Sequence, residues 1–172
     1  MLIDIRSLTR QAGTSIELDL EIGPEAFGLL REDLSLESPV AFTGQLMHTD
    51  HGILILTGTM KAKLAGICAR CLQPVPLMIE TSLNETFEPE DQKTGSDEEQ
   101  PSEAYGHTGL ALEIDQVLRD NLIPLLPVRL ICRDDCAGLC PVCGVDRNVN
   151  PCDCLSGGKG KPSPFDALKQ LL

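Results

Sequence analysis

The C-terminal third of the chain contains the stretch CRDDCAGLCPVCG (residues 132–144), which continues to CDC at residues 152–154. Six of the eight cysteines lie there, and the other two form a second pair in CARC (residues 68–71). A C-x2-C pair supplies two thiolates from one backbone turn, and a tetrahedral zinc ion binds four. Gly144 can adopt the positive φ with which such a turn directs its amides at the sulfurs. The cysteines therefore predict two structural zinc (Zn2+) sites.

Two groupings of these cysteines are consistent with their spacing. In the first, one site is local because residues 144–151 are turn formers that can fold the chain back; its ligands are Cys140, Cys143, Cys152 and Cys154. The other site closes a loop of roughly 60 residues; its ligands are Cys68, Cys71, Cys132 and Cys136. In the second grouping, Cys68 and Cys71 stay a reduced pair and one ion is bound by Cys132, Cys136, Cys140 and Cys143. The spacing favours the first grouping.

Disulfides and iron–sulfur clusters are the alternatives to zinc. The N-terminal residues MLIDIRSL contain no basic segment before an apolar core and no small-residue cleavage site, so we expect a cytoplasmic protein. A reducing compartment favours metal binding over disulfides, and the cysteine spacing favours zinc over an iron–sulfur cluster. Coordination by four sulfurs leaves no open position for water or substrate, so the predicted sites are structural and not catalytic.

Composition restricts the fold and the partners. With 172 residues, no Trp, one Tyr and four Phe, the chain fits one domain or one domain plus a small module, with an aliphatic interior. No apolar run reaches the roughly 18 residues of a membrane helix. A net charge of −12 opposes approach to a phosphate backbone, so a basic protein is the easier partner.

Residues 1–128 are predicted to form a strand-rich body. Strict alternation in SIELDLEI (15–22) predicts a strand, and the less regular alternation of residues 1–8 predicts another. Residues 39–50 and 53–64 predict a hairpin whose turn contains His48 and His51; two histidines are too few for a metal site. The CARC pair forms a knuckle between this hairpin and an extended segment at 74–87. Apolar residues at helical spacing predict one amphipathic helix at about 115–126, with Asp115 as its N-cap.

Two segments are predicted to lack fixed structure. Residues 88–109 contain seven acids and one Lys, so they predict a mobile acidic loop that aids solubility or attracts a basic protein. Residues 156–172 predict a flexible linker and a short amphipathic tail. The predicted fold is therefore α+β: an antiparallel, strand-rich body with one packed amphipathic helix, and a Cys-rich zinc-binding module at residues 129–155.

Several motifs in combination resemble those of the YceD family, the large ribosomal RNA subunit accumulation proteins. They are CARCL at 68–72, the acidic segment, IDQVLRDNLIPLLP at 114–127, and the spacing of the six C-terminal cysteines around NVN (148–150). The resemblance implies a bacterial, non-enzymatic factor needed for accumulation of the large-subunit (23S) ribosomal RNA. It supplies no catalytic residues.

The sequence suggests three hypotheses about function. The leading hypothesis is a ribosome biogenesis factor that contacts a large ribosomal subunit precursor or a basic ribosomal or assembly protein. The alternative is a zinc module that binds ribosomal RNA directly, through Arg70, Arg129, Arg133, Arg147, Lys159 and Lys161. For Arg70, an offset of the thiolate charge is the simpler prediction. An enzyme is disfavoured because no βαβ pattern surrounds Cys68 and because His or carboxylate ligands at metal spacing are missing.

Overall fold

The computed structural model describes residues 1–90 and 104–154. Within these ranges the chain forms β-strands and one α-helix, in the order β1 (Leu2–Asp4), β2 (Ser15–Ile22), β3 (Leu34–Leu36), β4 (Val40–His48), β5 (Leu54–Ile67), β6 (Pro74–Pro89), β7 (Tyr105–His107), β8 (Ala111–Glu113) and α1 (Asp115–Leu122). The predicted class, an α+β chain rich in antiparallel strands with one helix, is confirmed. No helix in the described ranges is long and apolar enough to cross a membrane.

The main sheet has six strands, in the order β2-β4-β5-β6-β7, with β3 paired to β5. Its pairs are antiparallel except for β6 and β7, which run parallel. A second, two-stranded sheet joins β1 to β8. The long β5–β6 pair runs from Leu54 opposite Phe87 to Ile67 opposite Pro74, and the CARC pair lies at its far end. The sheet thus delivers the first knuckle at the tip of its longest hairpin.

The turn between β4 and β5 confirms the predicted hairpin. His51 has a φ of 64° and Gly52 one of 79°, the left-handed conformations that tight turns need. His48 is buried, and its Nδ1 lies 3.0 Å from the carbonyl oxygen of Gln11. His107, which the sequence pattern did not single out, is also buried and donates from Nε2 to the Gly52 carbonyl at 2.8 Å. Both buried imidazoles therefore bond to backbone around this turn.

One face of the main sheet forms the core. Alternation along β2 buries Leu18 and Ile22 and exposes Glu17, Asp19 and Glu21, as its period of two predicts. The buried row packs in one cluster with the inner side chains of β4, β5 and β6 and with the buried residues of α1, Val117, Leu118 and Leu122. The core is mainly aliphatic, as predicted, and Phe27, Phe42 and Phe87 are also fully buried in it.

Two glycines make room for one of these rings. Gly44 lies directly opposite Gly58 in the β4–β5 pair. A Cβ built on Gly58 would lie 2.6 Å from Cζ of Phe42 and 2.6 Å from the Thr43 carbonyl oxygen. The ring therefore covers backbone that a side chain would otherwise occupy, which is how aromatic residues compensate for glycine in a sheet.

The helix begins one residue earlier than its predicted cap implied. Ile114 holds the cap position without a side-chain hydrogen bond, and Asp115 is the first helical residue, where its carboxylate pairs with the amino group of Met1. The prediction of Asp115 as N-cap was therefore wrong. The α-helix ends at Leu122 and tightens into a 3-10 turn over Ile123–Leu125, because Pro124 lacks the N–H of an α-helical bond.

The ends of the predicted acidic loop (88–109) belong to the sheet. Strand β6 continues through Pro89, and β7 pairs with it in parallel. The Tyr105 ring packs on Phe87 with centroids 5.5 Å apart, and its hydroxyl donates to Asp120 at 3.3 Å. These contacts pack the segment around Tyr105 against the sheet, which its acidic composition did not indicate. The rest of that loop (91–103) and the predicted linker and tail (156–172) lie outside the described residues.

Candidate metal centres

The first cluster joins the knuckle after β5 to the C-terminal segment. The thiols of Cys68, Cys71, Cys132 and Cys136 all lie within 4.8 Å of one another. The sulfurs of Cys68 and Cys136 are 3.9 Å apart, and those of Cys71 and Cys132 are 3.6 Å apart. Cys132 is exposed, and the other three are buried. The cluster therefore connects positions that are about 60 residues apart, as in the first of the two predicted groupings.

The second cluster is local and more open. Its four thiols, those of Cys140, Cys143, Cys152 and Cys154, also lie within 4.8 Å of one another. The sulfurs of Cys143 and Cys152 are 3.7 Å apart. Only Cys140 is buried. The other predicted grouping, with Cys132 to Cys143 around one ion, is not the arrangement found among the described residues.

The sulfur separations test whether these thiols fit a metal ion. A zinc–sulfur bond of about 2.3 Å places the corners of a regular tetrahedron about 3.8 Å apart. The measured separations of 3.9, 3.6 and 3.7 Å bracket that edge. A disulfide would bring two sulfurs to about 2.05 Å. Both clusters could thus hold a tetrahedral, thiophilic cation, and their donor sets are compatible with zinc.

The two C-x2-C knuckles have the same backbone geometry. In the first, the N–H of Arg70 donates to Sγ of Cys68 at 3.4 Å. In the second, the N–H of Val142 donates to Sγ of Cys140, also at 3.4 Å. In each, the residue after the second cysteine donates its N–H to the carbonyl of the first cysteine, at 3.0 and 2.8 Å. The two sequence motifs therefore form the same backbone turn.

Backbone amides stabilise one thiolate in each cluster. Hydrogen bonds from the backbone lower the pKa of Cys68 to about 6, and the bond from the backbone of Cys71 contributes most. The pKa of Cys140 is lowered to about 6 in the same way, chiefly by the backbone of Cys143. The pKa of Cys154 is raised to about 12, mainly by its hydrogen bond with the Cys143 thiol. Four thiols this close cannot all ionise without a compensating cation, which a bound metal ion supplies.

The knuckles differ in the residue that adopts a positive φ. The residue after the second cysteine is Gly144 in one, with a φ of 74°, and Leu72 in the other, with a φ of 61°. The Leu72 side chain is 62% exposed, so it gains little from burial. A left-handed conformation costs a residue with a Cβ about 1–2 kcal/mol. Leu72 is therefore strained without a compensating contact in the core.

We expect Leu72→Gly to raise the free energy of unfolding by about 1 kcal/mol, because relief of this strain exceeds the added freedom of glycine in the unfolded chain. Urea denaturation of the metal-loaded protein measures the change. Gln73→Gly is the matched control, since Gln73 has no positive φ, and it should lower stability. An equal or lower stability of Leu72→Gly would contradict the assignment of strain.

Arg70 fastens the first knuckle to the C-terminal segment. Its Nη1 donates to the carbonyl oxygens of Asp134 and Cys136, both at 3.0 Å. Its own carbonyl accepts the N–H of Leu139 at 2.9 Å. The guanidinium thus lies beside the cluster, where its charge opposes that of the thiolates, and it orders the loop that carries Cys136.

The side chain of Asn148 makes contacts that its sequence motif, which indicated only a turn former, did not predict. Its Nδ2 lies 3.4 Å from Sγ of Cys136 and 2.7 Å from Oδ1 of Asp146. Its Oδ1 accepts the N–H of Ala137 at 2.8 Å and Nη2 of Arg133 at 2.9 Å. The loop between the cysteine pairs of the second cluster therefore contacts a cysteine of the first. Its position in NVN, between two cysteine pairs, was the available signal.

The basic residues predicted as an RNA patch are partly engaged within the chain. Arg133 pairs with Asp135 at 3.2 Å in addition to Asn148. Arg70 bonds to backbone carbonyls, as described above. Arg129 and Arg147 are exposed, and Lys159 and Lys161 lie outside the described residues. Within the described ranges, two of these four arginines therefore already use donors inside the chain.

The fold and the clusters define a strand-rich protein with two four-thiol clusters that could hold structural metals, one of which joins the C-terminal segment to the end of the β5–β6 hairpin. The chain belongs to the YceD family, because the family model described as "Large ribosomal RNA subunit accumulation protein YceD" matches residues 56–172. That range includes all eight cysteines.

Relatives of the chain occur in mycobacteria. The uncharacterized protein Rv2926c of Mycobacterium tuberculosis is 32% identical over 154 residues, which cover 88% of this chain and 72% of that protein. The uncharacterized protein ML1660 of Mycobacterium leprae is 28% identical over 153 residues, covering 88% and 69%. No solved structure matches the chain.

Proposed function

We propose that this protein is a bacterial, cytoplasmic, non-enzymatic factor that supports accumulation of the 23S ribosomal RNA during biogenesis of the large ribosomal subunit. The observation that carries the proposal is membership of the YceD family over residues 56–172. Four-thiol clusters of the kind described suit a structural role, because four sulfurs leave a tetrahedral ion no position for substrate.

We also propose that the clusters hold two structural zinc ions, with Cys68, Cys71, Cys132 and Cys136 at the first and Cys140, Cys143, Cys152 and Cys154 at the second. The support is the agreement of the sulfur separations with the edge of a zinc–sulfur tetrahedron. The ions would shape a C-terminal segment that has few buried apolar residues of its own, as small metal-binding modules commonly require.

The partner in this proposal is a large ribosomal subunit precursor, contacted through a basic ribosomal or assembly protein. The net charge of −12 favours such a protein and opposes RNA. Direct binding of ribosomal RNA has less support, because Arg70 and Arg133 already bond within the chain. The exposed acidic side chains of β2 form a negatively charged surface that a basic protein could contact.

Co-sedimentation with large-subunit precursors tests the proposal. We expect the protein to sediment with precursors at low ionic strength and to dissociate as salt is raised, because exposed charge pairs are screened. Cells lacking the protein should contain less 23S ribosomal RNA, and the intact gene should restore it. Absence of association at every salt concentration would contradict the proposal. Binding to purified ribosomal RNA fragments alone would favour the direct RNA-binding module.

A further inference from the structure

Strand β2 lies at the edge of the main sheet. In the described ranges it pairs only with β4. The N–H of His48 donates to the carbonyl of Thr14 at 2.9 Å, which sets the phase of the ladder. Because hydrogen-bonded pairs alternate in an antiparallel ladder, Ile16 and Leu18 also bond toward β4. The N–H and C=O groups of Glu17, Asp19 and Glu21 therefore point to the free edge.

Acidic charge alone protects this edge, and it repels another acidic strand but not a basic one. Proteins blunt long edge strands with charged side chains, Pro, bulges or inward-pointing charges. Strand β2 is eight residues long, its register with β4 is unbroken from Ser15 to Ile22, and it contains neither Pro nor Lys. A regular edge of this length is a template on which another strand can pair.

The side chains of β2 define what that strand must carry. Glu17, Asp19 and Glu21 form an exposed acidic row, and in the described ranges none of them makes a salt bridge. On the other face, Ile16 and Leu20 are half-buried at the margin of the core. A complementary strand would place cations beside the acidic row and apolar side chains beside Ile16 and Leu20.

We propose that the free edge of β2 binds an extended segment of a partner protein in which Lys or Arg alternates with apolar residues, and that this segment joins the sheet as an added strand. This inference rests on the proposed function, in which the protein acts through contact with a basic protein. A second copy of β2 is a poor occupant, because its acidic row would lie beside that of the first and like charges opposite each other destabilise a pair.

Peptide binding to the full-length protein tests the inference. The probe is a fluorescently labelled ten-residue peptide of alternating Lys and Val. The matched control has the same side chains but is N-methylated at its four central residues, which removes the N–H groups that would pair with β2 in either strand direction. We expect the control to bind at least about tenfold more weakly, since main-chain bonds supply the affinity of an added strand. Equal affinities would overturn the proposal.

Two variants at one position separate the backbone from the charge. Asp19→Ala removes the carboxylate and leaves the edge able to pair. Asp19→Pro removes the same carboxylate and also the outward N–H, without removing a bond to β4, because Pro is tolerated on an edge strand. We expect a further loss of about tenfold in peptide affinity for Asp19→Pro relative to Asp19→Ala. Circular dichroism confirms that both are folded, and equal affinities would count against edge pairing.

Hydrogen exchange locates the bound peptide. The amides of Glu17, Asp19 and Glu21 should become protected when the Lys-Val peptide binds, and those of β6 should not change. Protection elsewhere, with β2 unchanged, would overturn the proposal. So would protection of β2 in the free protein that is lost on dilution or on deletion of residues 155–172, because a second copy or the chain's own end would then occupy the edge.

The two proposals can fail separately. If the intact protein co-sediments with ribosomal precursors and Asp19→Pro does so equally well, the docking edge is wrong and the proposed function stands. If the intact protein never co-sediments but the peptide binds and protects β2, the edge stands and the ribosomal role is wrong.

Discussion

Cys71→Ser is expected to remove one zinc ion per chain and to lower the midpoint of thermal unfolding by roughly 10 °C. Cys71 and Cys132 are 61 positions apart, and their sulfurs lie 3.6 Å from each other. Closing a loop of that length with a cross-link contributes about 4 kcal/mol in the chain-entropy account, and metal clips act in the same way. Native mass spectrometry measures the ions, and calorimetry measures the midpoint.

Cys143→Ser is the matched control at the other cluster. Cys143 and Cys152 are only 9 positions apart, so the same account gives about 2.5 kcal/mol for their cross-link. We expect this variant to lose one ion as well but to lower the midpoint by only about 5 °C. Hydrogen exchange should increase in residues 132–154 and not in β5 or β6. Equal falls in the midpoint for the two variants, or two ions retained by Cys71→Ser, would contradict the assignment of the first cluster as the long-range link.

The parts of the fold that follow a local period could be predicted from sequence. Alternation in residues 15–22 predicted β2 to the residue, and the turn chemistry around His51 and Gly52 located the β4–β5 hairpin. The apolar spacing after Asp115 located the helix, although its cap lay one position away. In each case the signal lies within about ten neighbouring residues and depends on the backbone's own geometry.

Features that depend on distant contacts could not be predicted in the same way. The strand at Tyr105 forms because its ring meets Phe87 across a long acidic segment, and composition alone indicated a loop there. The local cysteine set followed from turn formers, whereas the long-range set rested only on which cysteines remained. Asn148 is similar, since nothing in a turn sequence indicates which thiol its amide will approach.

Asn148→Asp is expected to weaken zinc binding at the first cluster by about 100-fold, and Asn148→Ala by about tenfold. The amide Nδ2 of Asn148 lies 3.4 Å from Sγ of Cys136, so alanine removes a donor that stabilises the thiolate. Aspartate also places a negative charge beside that sulfur and beside Oδ1 of Asp146, which lies 2.7 Å from Nδ2 in the native chain.

Competition with a chelator measures these affinities in the chain with both clusters intact, and hydrogen exchange around Cys68 identifies release of the first ion. Asn150→Ala is the matched control, because Asn150 is exposed and its bond to the Asp146 carbonyl, at 2.9 Å, comes from its backbone N–H. If Asn148→Asp and Asn150→Ala bind zinc equally well, the loop of the second cluster does not support the first. If they differ as expected, the two clusters are mechanically linked, and loss of the exposed second ion would loosen the ligand loop of the buried one.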